Sequence, residues 1–334
     1  MTIKEIAKLA GVSSAAVSRY LNGGYVSDQK KEQIKKVIEE TGYQPSAQAR
    51  MLRTKKASLI GVVVPKINSE SISRITAGIE RVLSGRGYQM LLAGTGNQSE
   101  KEVEYMKLFE NYPVDGIILI GTVITAKHRK FLKETKVPIV VVGQHTRYAN
   151  CIYHDDYNAG RALGQVVGLK YGDRVAYIGV GREDKAAGAA REDGFMAGLK
   201  QVGVSLAENR RYVAEFNIES GYRETMKLLE KESEIDVISC ATDTIAAGAI
   251  KAIHQYREEK SLSSEIQVTG FGDNQLLKAV TGGFPTIHFG YMTSGIRGAE
   301  LLLDVIDRGE TIPVEMKMGY QLVGVKETLL NVEE

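Results

Sequence analysis

The residues best suited to recognise another molecule lie near the start of the chain, in the stretch SSAAVSRYLN (13–22). Arg19 can donate two hydrogen bonds to a guanine edge, a contact worth ~1–3 kcal/mol in base discrimination; a phosphate clamp is its alternative role. Ser14 and Ala15 offer only a hydroxyl and a methyl group, and Asn22 lies beside them. These residue types favour nucleic-acid recognition in which Arg19 reads the bases.

Two short helices must position that stretch. Thr2 and Glu5 have the T-x-x-E spacing of a capping box, which predicts a helix start. Gly11 suits the turn that ends this helix, and Ser13 can cap a second helix in which Val17 faces inward. The combined pattern predicts a helix-turn-helix, and a surface helical hairpin with a glycine turn is the weaker alternative.

A third helix and a short basic segment follow. Ser27 is predicted to cap the third helix and Gly42 to end it. The segment AQARMLR (47–53) is long enough for barely two helical turns, which are marginal alone in water, so we expect it to fold only against DNA. Within it, Leu52 lies between two arginines and suits an apolar wedge in the minor groove. Packing of Leu52 against the preceding helices is the alternative.

The charge of the first 56 residues differs from that of the rest. They hold 11 Lys and Arg against 5 Asp and Glu, a net charge of +6, which leaves −4 for the remaining chain. A basic module on an acidic body is what phosphate neutralisation at one end requires. A merely solvated basic face is the weaker interpretation beside a helix-turn-helix.

These residues resemble the lac repressor family of bacterial transcriptional regulators. The similarity covers essentially the whole chain, including TIKEIAKLAGVS, VSRYLN, TGYQPSAQARMLR and LIGVVVP. It implies a helix-turn-helix in the major groove and a hinge helix that inserts a leucine at the operator centre. By position it implies DNA contacts from Thr2, Ser14, Ala15, Arg19, Asn22, Ser27, Tyr43, Arg50 and Leu52, with Leu52 as the wedge and Thr2, Ser27 and Tyr43 on phosphates.

Beyond residue 57, apolar runs alternate with helical stretches. One set of runs covers 59–65, 88–95, 114–122 and 137–143, and a second covers 174–181, 211–216, 237–242 and 266–272. Their continuous hydrophobicity predicts parallel strands covered on both faces. The repeated rhythm predicts two similar lobes.

The predicted fold class is therefore α/β, with a small all-α helix-turn-helix headpiece and two doubly wound parallel lobes. The resemblance implies lobes of the periplasmic-binding-protein type. We expect a headpiece over 1–45, a hinge helix and linker over 46–57, and an effector-binding and dimerisation core over 58–334. Within the core, the N-lobe is expected at about 58–156 and 290–317, and the C-lobe at about 157–286 and 319–334.

Two such lobes place a ligand cleft at the carboxyl ends of their strands. The polar and aromatic residues near predicted strand ends or crossovers are Ser69, Ser71, Ser73, Asn97, Gln144, Arg191, Phe216, Asp243, Asp273 and Phe289. Hydroxyl, amide, carboxylate and guanidinium groups beside aromatic faces suit a saccharide. The resemblance implies a sugar or purine effector.

Several of these residues have a structural alternative. Arg191 matches the family's effector-contacting arginine, but it could pair with Glu192 or Asp193 instead. Asp243 and Asp273 could cap helices, and Phe216 could belong to the core rather than stack on a ligand. Gly272 occupies a place where many relatives carry an acidic ligand residue, so the ordinary sugar contact is expected to be moved or missing.

Other classes of site lack the required residues. Cys151 and Cys240 lie in separate predicted strands without a C-x-x-C pattern, so neither a metal site nor a disulfide framework is expected. Without a Walker loop, a full dinucleotide fingerprint or a catalytic cluster, we expect no cofactor and no enzyme activity. The absence of an export signal and of an apolar run of ~18 residues predicts a cytoplasmic protein outside the membrane.

The sequence thus predicts a homodimeric repressor of a carbohydrate-utilisation operon, whose partners are operator DNA and a small saccharide. A dimer is preferred over a tetramer because no heptad-bearing tail follows the last strand. The candidate effector is sucrose or a related oligosaccharide, and the sequence leaves open whether it releases or promotes DNA binding. The alternatives are a solute-binding protein, a regulator with a purine-type corepressor and an enzyme.

Overall fold

The computed structural model describes residues 1–43, 56–232, 234–260, 265–309 and 312–324. Contacts divide the chain into two units, one formed by Met1–Leu59 with Pro113–Asp115 and the other by Ile60–Tyr112 with Gly116–Glu334. The predicted hinge helix, with Arg50 and Leu52, lies outside the described residues.

The headpiece contains three helices, α1 (Ile3–Leu9), α2 (Ser14–Leu21) and α3 (Asp28–Thr41). The capping box is confirmed: the Thr2 amide donates to the Glu5 carboxylate at 2.7 Å, and the Glu5 amide donates to Thr2 Oγ1 at 3.3 Å. The Ser13 cap is confirmed by a 3.2 Å hydrogen bond from the Ala16 amide.

The third helix begins and ends where predicted, but its cap differs. Ser27 occupies the N-cap position, yet its hydroxyl makes no capping hydrogen bond, so that part of the prediction is wrong. The carboxylate of Asp28 in the first turn supplies the favourable charge instead. Gly42 ends the helix with φ 61°, in the left-handed region. Fully buried Ile6, Val17 and Ile34 form the headpiece core.

The N-lobe is a six-stranded sheet in the order β11-β5-β4-β3-β1-β2. Every strand pair with a recorded register in this sheet is parallel. Its strands are β1 (Leu59–Val64), β2 (Gln89–Gly94), β3 (Gly116–Ile120), β4 (Ile139–Val142), β5 (Asn150–His154) and β11 (Glu315–Met318), with helices α4 (Glu70–Gly85), α5 (Ser99–Asn111), α6 (Ala126–Glu134) and α12 (Tyr291–Arg308).

The C-lobe is a second six-stranded sheet, in the order β12-β10-β9-β8-β6-β7. It is parallel except at one edge, where β12 runs antiparallel to β10 and Tyr320 faces Phe289. Its strands are β6 (Val175–Gly179), β7 (Arg211–Val213), β8 (Val237–Cys240), β9 (Gln267–Phe271), β10 (Thr286–Phe289) and β12 (Tyr320–Val323), with helices α7 (Asp156–Tyr171), α8 (Arg191–Gln201), α9 (Ile218–Lys231), α10 (Asp243–Lys260) and α11 (Gln275–Thr281).

The chain crosses between the sheets after β5, after β10 and after β11. Several predicted strands are too long, most clearly 211–216, of which only Arg211–Val213 is strand. Asn217 caps α9 through a 2.7 Å hydrogen bond from the Ser220 amide, so the chain leaves the sheet before Phe216. Phe216 is thereby placed in the connection rather than in the sheet.

Helices α7 and α8 cross unusually closely because glycines replace side chains at the contact. A Cβ atom added at Gly160 would lie 2.3 Å from the carbonyl oxygen of Arg191, and one at Gly164 would lie 2.2 Å from that of Phe195. A larger residue at either position would push the helices apart. The close crossing brings Asp156, the first residue of α7, beside Arg191, the first residue of α8.

Candidate functional site

The residues predicted to contact DNA bases lie on the exposed side of α2. Ser14, Ala15, Arg19 and Asn22 lie along this helix and at its C-cap, and none of them is buried. Among the described residues, the Arg19 guanidinium makes no ion pair, which leaves its charge available to a nucleic acid. The Asn22 amide donates back to the carbonyl oxygen of Ser18, which holds it against the end of the helix.

The three residues predicted to contact phosphates differ in exposure. Thr2 and Ser27 are exposed, whereas Tyr43 is half-buried and packs against the headpiece core. Thr2 also serves as the N-cap of α1. A phosphate contact from Thr2 would therefore come from a group that already fixes the start of the first helix.

A cleft of about 500 Å³ lies between the two lobes, at the carboxyl ends of their strands. Seven of the ten predicted ligand residues line it, namely Ser69, Ser71, Asn97, Gln144, Arg191, Phe216 and Asp243. Phe216 is half-buried and also packs against the hydrophobic core. The core interpretation is therefore confirmed in part, and stacking on a ligand stays a prediction.

Arg191 is buried at the floor of this cleft. Its Nε donates to Asp156 Oδ1 at 2.8 Å, and its terminal Nη1 donates to the Ala241 carbonyl oxygen at 2.7 Å. The guanidinium lies 5.0 Å and 5.1 Å from the ring centroids of Phe271 and Phe289. Burial alone would lower the pKa of Arg191, but Asp156, Tyr291 and Asp184 together raise it above its usual value, so the group stays charged.

The alternative partners for Arg191 are wrong. Glu192 pairs with Arg182 and Arg211, and Asp193 pairs with Arg182. Successive helical residues point in different directions, so neither neighbour reaches the Arg191 guanidinium. Its partner comes from another helix, 35 residues earlier in the chain.

Asp243 does not cap its helix. Its carboxylate accepts hydrogen bonds from the Asn274 amide and from Thr286 Oγ1, each at 2.7 Å. Thr242 provides the cap instead, accepting from the Ile245 amide at 3.3 Å. Burial raises the pKa of Asp243 to about 6, because desolvation disfavours the charged form of a carboxyl group.

Asp243 also accounts for the glycine at position 272. A Cβ atom added at Gly272 would lie 3.2 Å from Asp243 Oδ2, and the backbone there has φ 142°. Both the occupied space and the dihedral angle disfavour a side chain. The carboxylate that lines the cleft at this point is that of Asp243.

Three predicted ligand residues do not line the cleft, contrary to expectation. Ser73 lies in a separate groove with Thr76 and Met90, because it is two residues after Ser71 on a helix and faces the opposite side. Asp273 is turned away and binds Lys278 Nζ at 2.6 Å, as well as His288. Phe289 is fully buried beneath Arg191.

The sequence reasoning missed several residues that line the cleft, among them Asp156 and His154. Asp156 is the partner of Arg191, and His154 is buried with its ring against Phe289 and Tyr291. Its Nε2 has no hydrogen-bond partner among the described residues, and burial lowers the pKa of His154 to about 4. The signal was present in the sequence, because the segment CIYHDD (151–156) passes from apolar to polar residues at the end of β5.

Hydrogen bonds join the two lobes across the cleft. Lys66 Nζ donates to the Phe216 carbonyl oxygen at 2.6 Å, and the side-chain amide of Gln144 donates to Asp184 Oδ1 at 2.9 Å. In addition, the main-chain amide of Gln275 donates to the Glu70 carboxylate at 3.1 Å. These contacts link the two lobes beside the cavity.

Metal-binding clusters and membrane-spanning helices are both missing from the described part of the chain. No cluster of three or more His, Cys, Asp or Glu side chains there has a geometry that could hold a metal ion. None of the helices there is long and apolar enough to span a bilayer.

An exposed recognition helix on a small headpiece, together with a two-lobed body that encloses a polar cleft, defines a DNA-binding regulator with a ligand-binding body. The family model for bacterial regulatory proteins of the lacI family matches residues 2–46. The model for periplasmic binding proteins and the sugar binding domain of the LacI family matches residues 57–311. The chain belongs to the LacI family and is a DNA-binding transcriptional regulator.

Named relatives cover nearly the whole chain. A sucrose operon repressor of Staphylococcus xylosus is 32% identical over 294 residues, covering 88% of this chain and 90% of the relative. A ribose operon repressor of Halalkalibacterium halodurans is 30% identical over 329 residues, covering 98% of this chain and 96% of the relative.

Solved structures share the fold. The lac repressor bound to ONPG in the repressed state has a TM-score of 0.83 at 21% identity, covering 97% of this chain and 98% of that chain. The transcriptional regulator CelR in complex with cellobiose has a TM-score of 0.72 at 23% identity, with the same coverage. The two-lobe architecture of the body, with its headpiece, is thus that of known regulators.

Proposed function

We propose that this protein represses a carbohydrate-utilisation operon and that a small saccharide, bound between the lobes, controls its affinity for the operator. The observation that carries the proposal is the buried Arg191 and Asp156 pair at the floor of a polar cleft. A buried ion pair costs desolvation energy, and here it presents a rigid donor and acceptor to the cavity. The names of the sucrose and ribose operon repressors support the carbohydrate class.

The chemistry of the cleft suits a polyol. Serine hydroxyls and amides from the N-lobe face carboxylates and a guanidinium from α7, α8 and α10. Such groups can each accept from or donate to a sugar hydroxyl, and Phe216 offers an aromatic face for the ring carbons. The proposed contacts are Ser69, Ser71, Asn97, Gln144, Arg191, Phe216 and Asp243, together with His154 and Asp156, which line the same cleft.

Control of DNA binding would follow from the different shapes of the body with and without ligand. In this proposal the protein is a cytoplasmic dimer, with headpieces in adjacent major grooves and Leu52 as the minor-groove wedge. A ligand that binds one arrangement of the lobes more tightly shifts the population toward it, and that differential affinity appears as a change in operator affinity. The ligand is bound and released unchanged.

The test combines a DNA titration with a sugar panel. A duplex of about 20 base pairs, selected by the protein from a randomised pool, is labelled and titrated while sucrose, ribose, cellobiose and the purine bases are added one at a time. We expect one saccharide to change the affinity for the duplex at least ~10-fold, a coupling of ~1–3 kcal/mol. A response to a purine alone, or to none of them together with no calorimetric binding of any sugar, rules out the saccharide proposal.

The same titration tests the wedge. Leu52→Ala is expected to weaken binding to the selected duplex far more than binding to random duplex, because unstacking at one base step is specific to the selected site. Equal losses on both duplexes would reduce Leu52 to a packing residue.

A further inference from the structure

We propose that a basic face on the N-lobe, distinct from the headpiece, contacts DNA phosphates beside the site that the headpiece reads. The basic face consists of the exposed side chains of Arg129, Lys130, Lys133, Lys136 and Arg147. The proposal rests on the headpiece binding DNA, and it adds a second contact surface on the body itself.

The charges of this face are not neutralised locally. Residues 129–148 contain those five cations and a single carboxylate, Glu134. Within the described parts of the chain, none of the five cations forms an ion pair. By contrast, the neighbouring Lys127 is within 3.9 Å of Glu100. The remainder of the protein beyond residue 56 carries a net negative charge, so the basic face stands out from its surroundings.

Tyr148 holds part of this face in place. Lys133 Nζ lies 4.8 Å from the centroid of the Tyr148 ring, and the Arg147 guanidinium carbon lies 5.1 Å from it. Arg147 Nη2 also donates to the Tyr148 hydroxyl oxygen at 3.1 Å. That hydrogen bond, together with the charges of Arg147, Lys133 and Arg129, lowers the pKa of Tyr148. Cations fixed on an aromatic ring lose less entropy when they bind phosphate.

The position of the face follows from the sheet register. Ile60 pairs with Gly116, Ile117 with Ile139, and Val140 with Asn150, so the amino ends of β1, β3, β4 and β5 share one edge. The last turn of α6 and the residues just before β4 and β5 therefore lie at that edge.

That edge also carries the start of β1, where the chain arrives from the headpiece. Two strand spacings of ~4.8 Å separate β4 from β1. Lys133, Lys136 and Arg147 thus lie at the edge of the N-lobe where β1 begins, whereas Arg129, whose Nη1 donates to the Ile124 carbonyl oxygen at 2.8 Å, lies nearer the start of α6.

The charge pattern favours DNA over a purely local role for these cations. A cation in the last turn of a helix is stabilised by the helix dipole, and this accounts for Lys133. It does not account for Lys136 and Arg147, which lie outside the helix. A duplex held by the headpiece is present at high effective concentration near an attached surface, so even a few weak phosphate contacts would increase affinity.

The experiment compares two duplexes and two matched variants of the full-length protein. The selected duplex of about 20 base pairs is used alone and with about 15 base pairs of random sequence added at each end. The basic-face variant carries Lys130→Gln, Lys133→Gln and Arg147→Gln. The control variant carries Lys170→Gln, Lys200→Gln and Lys251→Gln, which are exposed cations of the C-lobe. Two of the control lysines also lie 5.0 Å from a tyrosine ring.

The basic-face variant is expected to bind the long duplex about 10-fold more weakly than the parent and the short duplex within ~2-fold. The slope of log affinity against log salt for the long duplex should become shallower by about 0.9 for each phosphate that the variant no longer neutralises. The control variant should match the parent on both duplexes, and both variants should unfold at the parent's temperature.

Any other outcome contradicts either the proposed DNA contact of the basic face or the DNA-binding function on which that proposal rests. Parent-like binding of the long duplex by the basic-face variant overturns the proposal. The proposal is also overturned if the variant binds the long duplex as the parent does but loses the parent's binding to a poly-glutamate peptide. That result would assign the basic face to an acidic protein partner. If the parent itself binds neither duplex, the DNA-binding function has failed, and the proposal falls with it.

Discussion

Arg191 and Asp156 form a buried ion pair, with Arg191 Nε and Asp156 Oδ1 2.8 Å apart and side-chain exposures of 8% and 5%. Each residue is the first of its helix, and the two helices come from separate crossovers of the chain. The pair therefore links the packing of the C-lobe to the floor of the cleft.

Arg191→Lys should abolish the response to the ligand while leaving the ligand-free affinity for DNA within about 2-fold. Lysine keeps the charge but lacks the planar guanidinium that bonds both Asp156 and the Ala241 carbonyl oxygen.

Asp156→Asn should cost about 3–5 kcal/mol in the free energy of unfolding, because it leaves the guanidinium buried without its counter-charge. DNA titration with and without ligand, and urea unfolding, measure the two effects.

Arg182→Lys is the matched control. Arg182 pairs with Glu192 and Asp193, but about half of its side chain is exposed. An exposed pair contributes roughly 0–1 kcal/mol, so this variant should keep both its stability and its ligand response. If Arg191→Lys responds to ligand as the control does, Arg191 is not the anchor.

Asp243 should make the protein less stable as the pH rises. Its pKa is raised from 3.8 to about 6 by burial, so the stabilising protonated form is complete below pH 3.8 and is lost as the pH rises through 6. Relative to Asp243→Asn, the parent should lose about 2 kcal/mol of unfolding free energy between about pH 4.5 and 7. Urea titrations across this range measure the difference, and a flat difference would contradict the assigned pKa.

His154 should have the opposite effect in the same pH range. Its pKa is lowered from 6.5 to about 4 by burial, so its neutral form stabilises the fold above pH 6.5 and this stability is lost as the pH falls toward 4. Relative to His154→Gln, the parent should lose about 2 kcal/mol between about pH 7 and 4.5. The imidazole carbon signals of His154 in an NMR titration give an independent check, since they should not titrate near pH 6.

Gly164→Ala should destabilise the protein strongly, because the added methyl group would lie 2.2 Å from the carbonyl oxygen of Phe195. Overpacking of this kind costs roughly 1–3 kcal/mol, and more where backbone must move. Gly85→Ala on α4 is the control, since a Cβ there meets nothing within 4 Å, and it should be neutral or stabilising by up to ~1 kcal/mol. Thermal unfolding of both variants tests the pair, and equal midpoints would show that α7 and α8 can separate freely.

The headpiece was predictable because its signals are local. A capping box joins residues three apart, and a glycine in the left-handed region ends a helix wherever it occurs, so Thr2, Glu5 and Gly42 could be interpreted without the rest of the fold. The Ser27 hydroxyl departs from this rule. A capping residue type permits the hydrogen bond but does not compel it where the first turn already holds a carboxylate.

The cleft was predictable in outline. Apolar runs identified the strands, and the rule that ligands bind at their carboxyl ends placed seven of ten residues in the lining. The failures at Ser73 and Asp273 share one cause, since both follow strand ends as expected but point away. Side-chain direction depends on the helical phase and on the local φ angle, which is 52° at Asp273, and neither can be counted from a strand end.

The class of protein was predictable from patterns in the chain: a basic helix-turn-helix, then two alternating series of strands and helices, with the residue types of a polar cleft. Which residues meet in the cleft depends on the folded arrangement. The partner of Arg191 is Asp156 rather than its neighbour in the chain, and Asp243 binds Asn274 and Thr286 rather than its own helix. Local patterns arise from interactions a few residues apart, whereas these contacts depend on how close two helices or strands come together, which glycines such as Gly160 and Gly164 set.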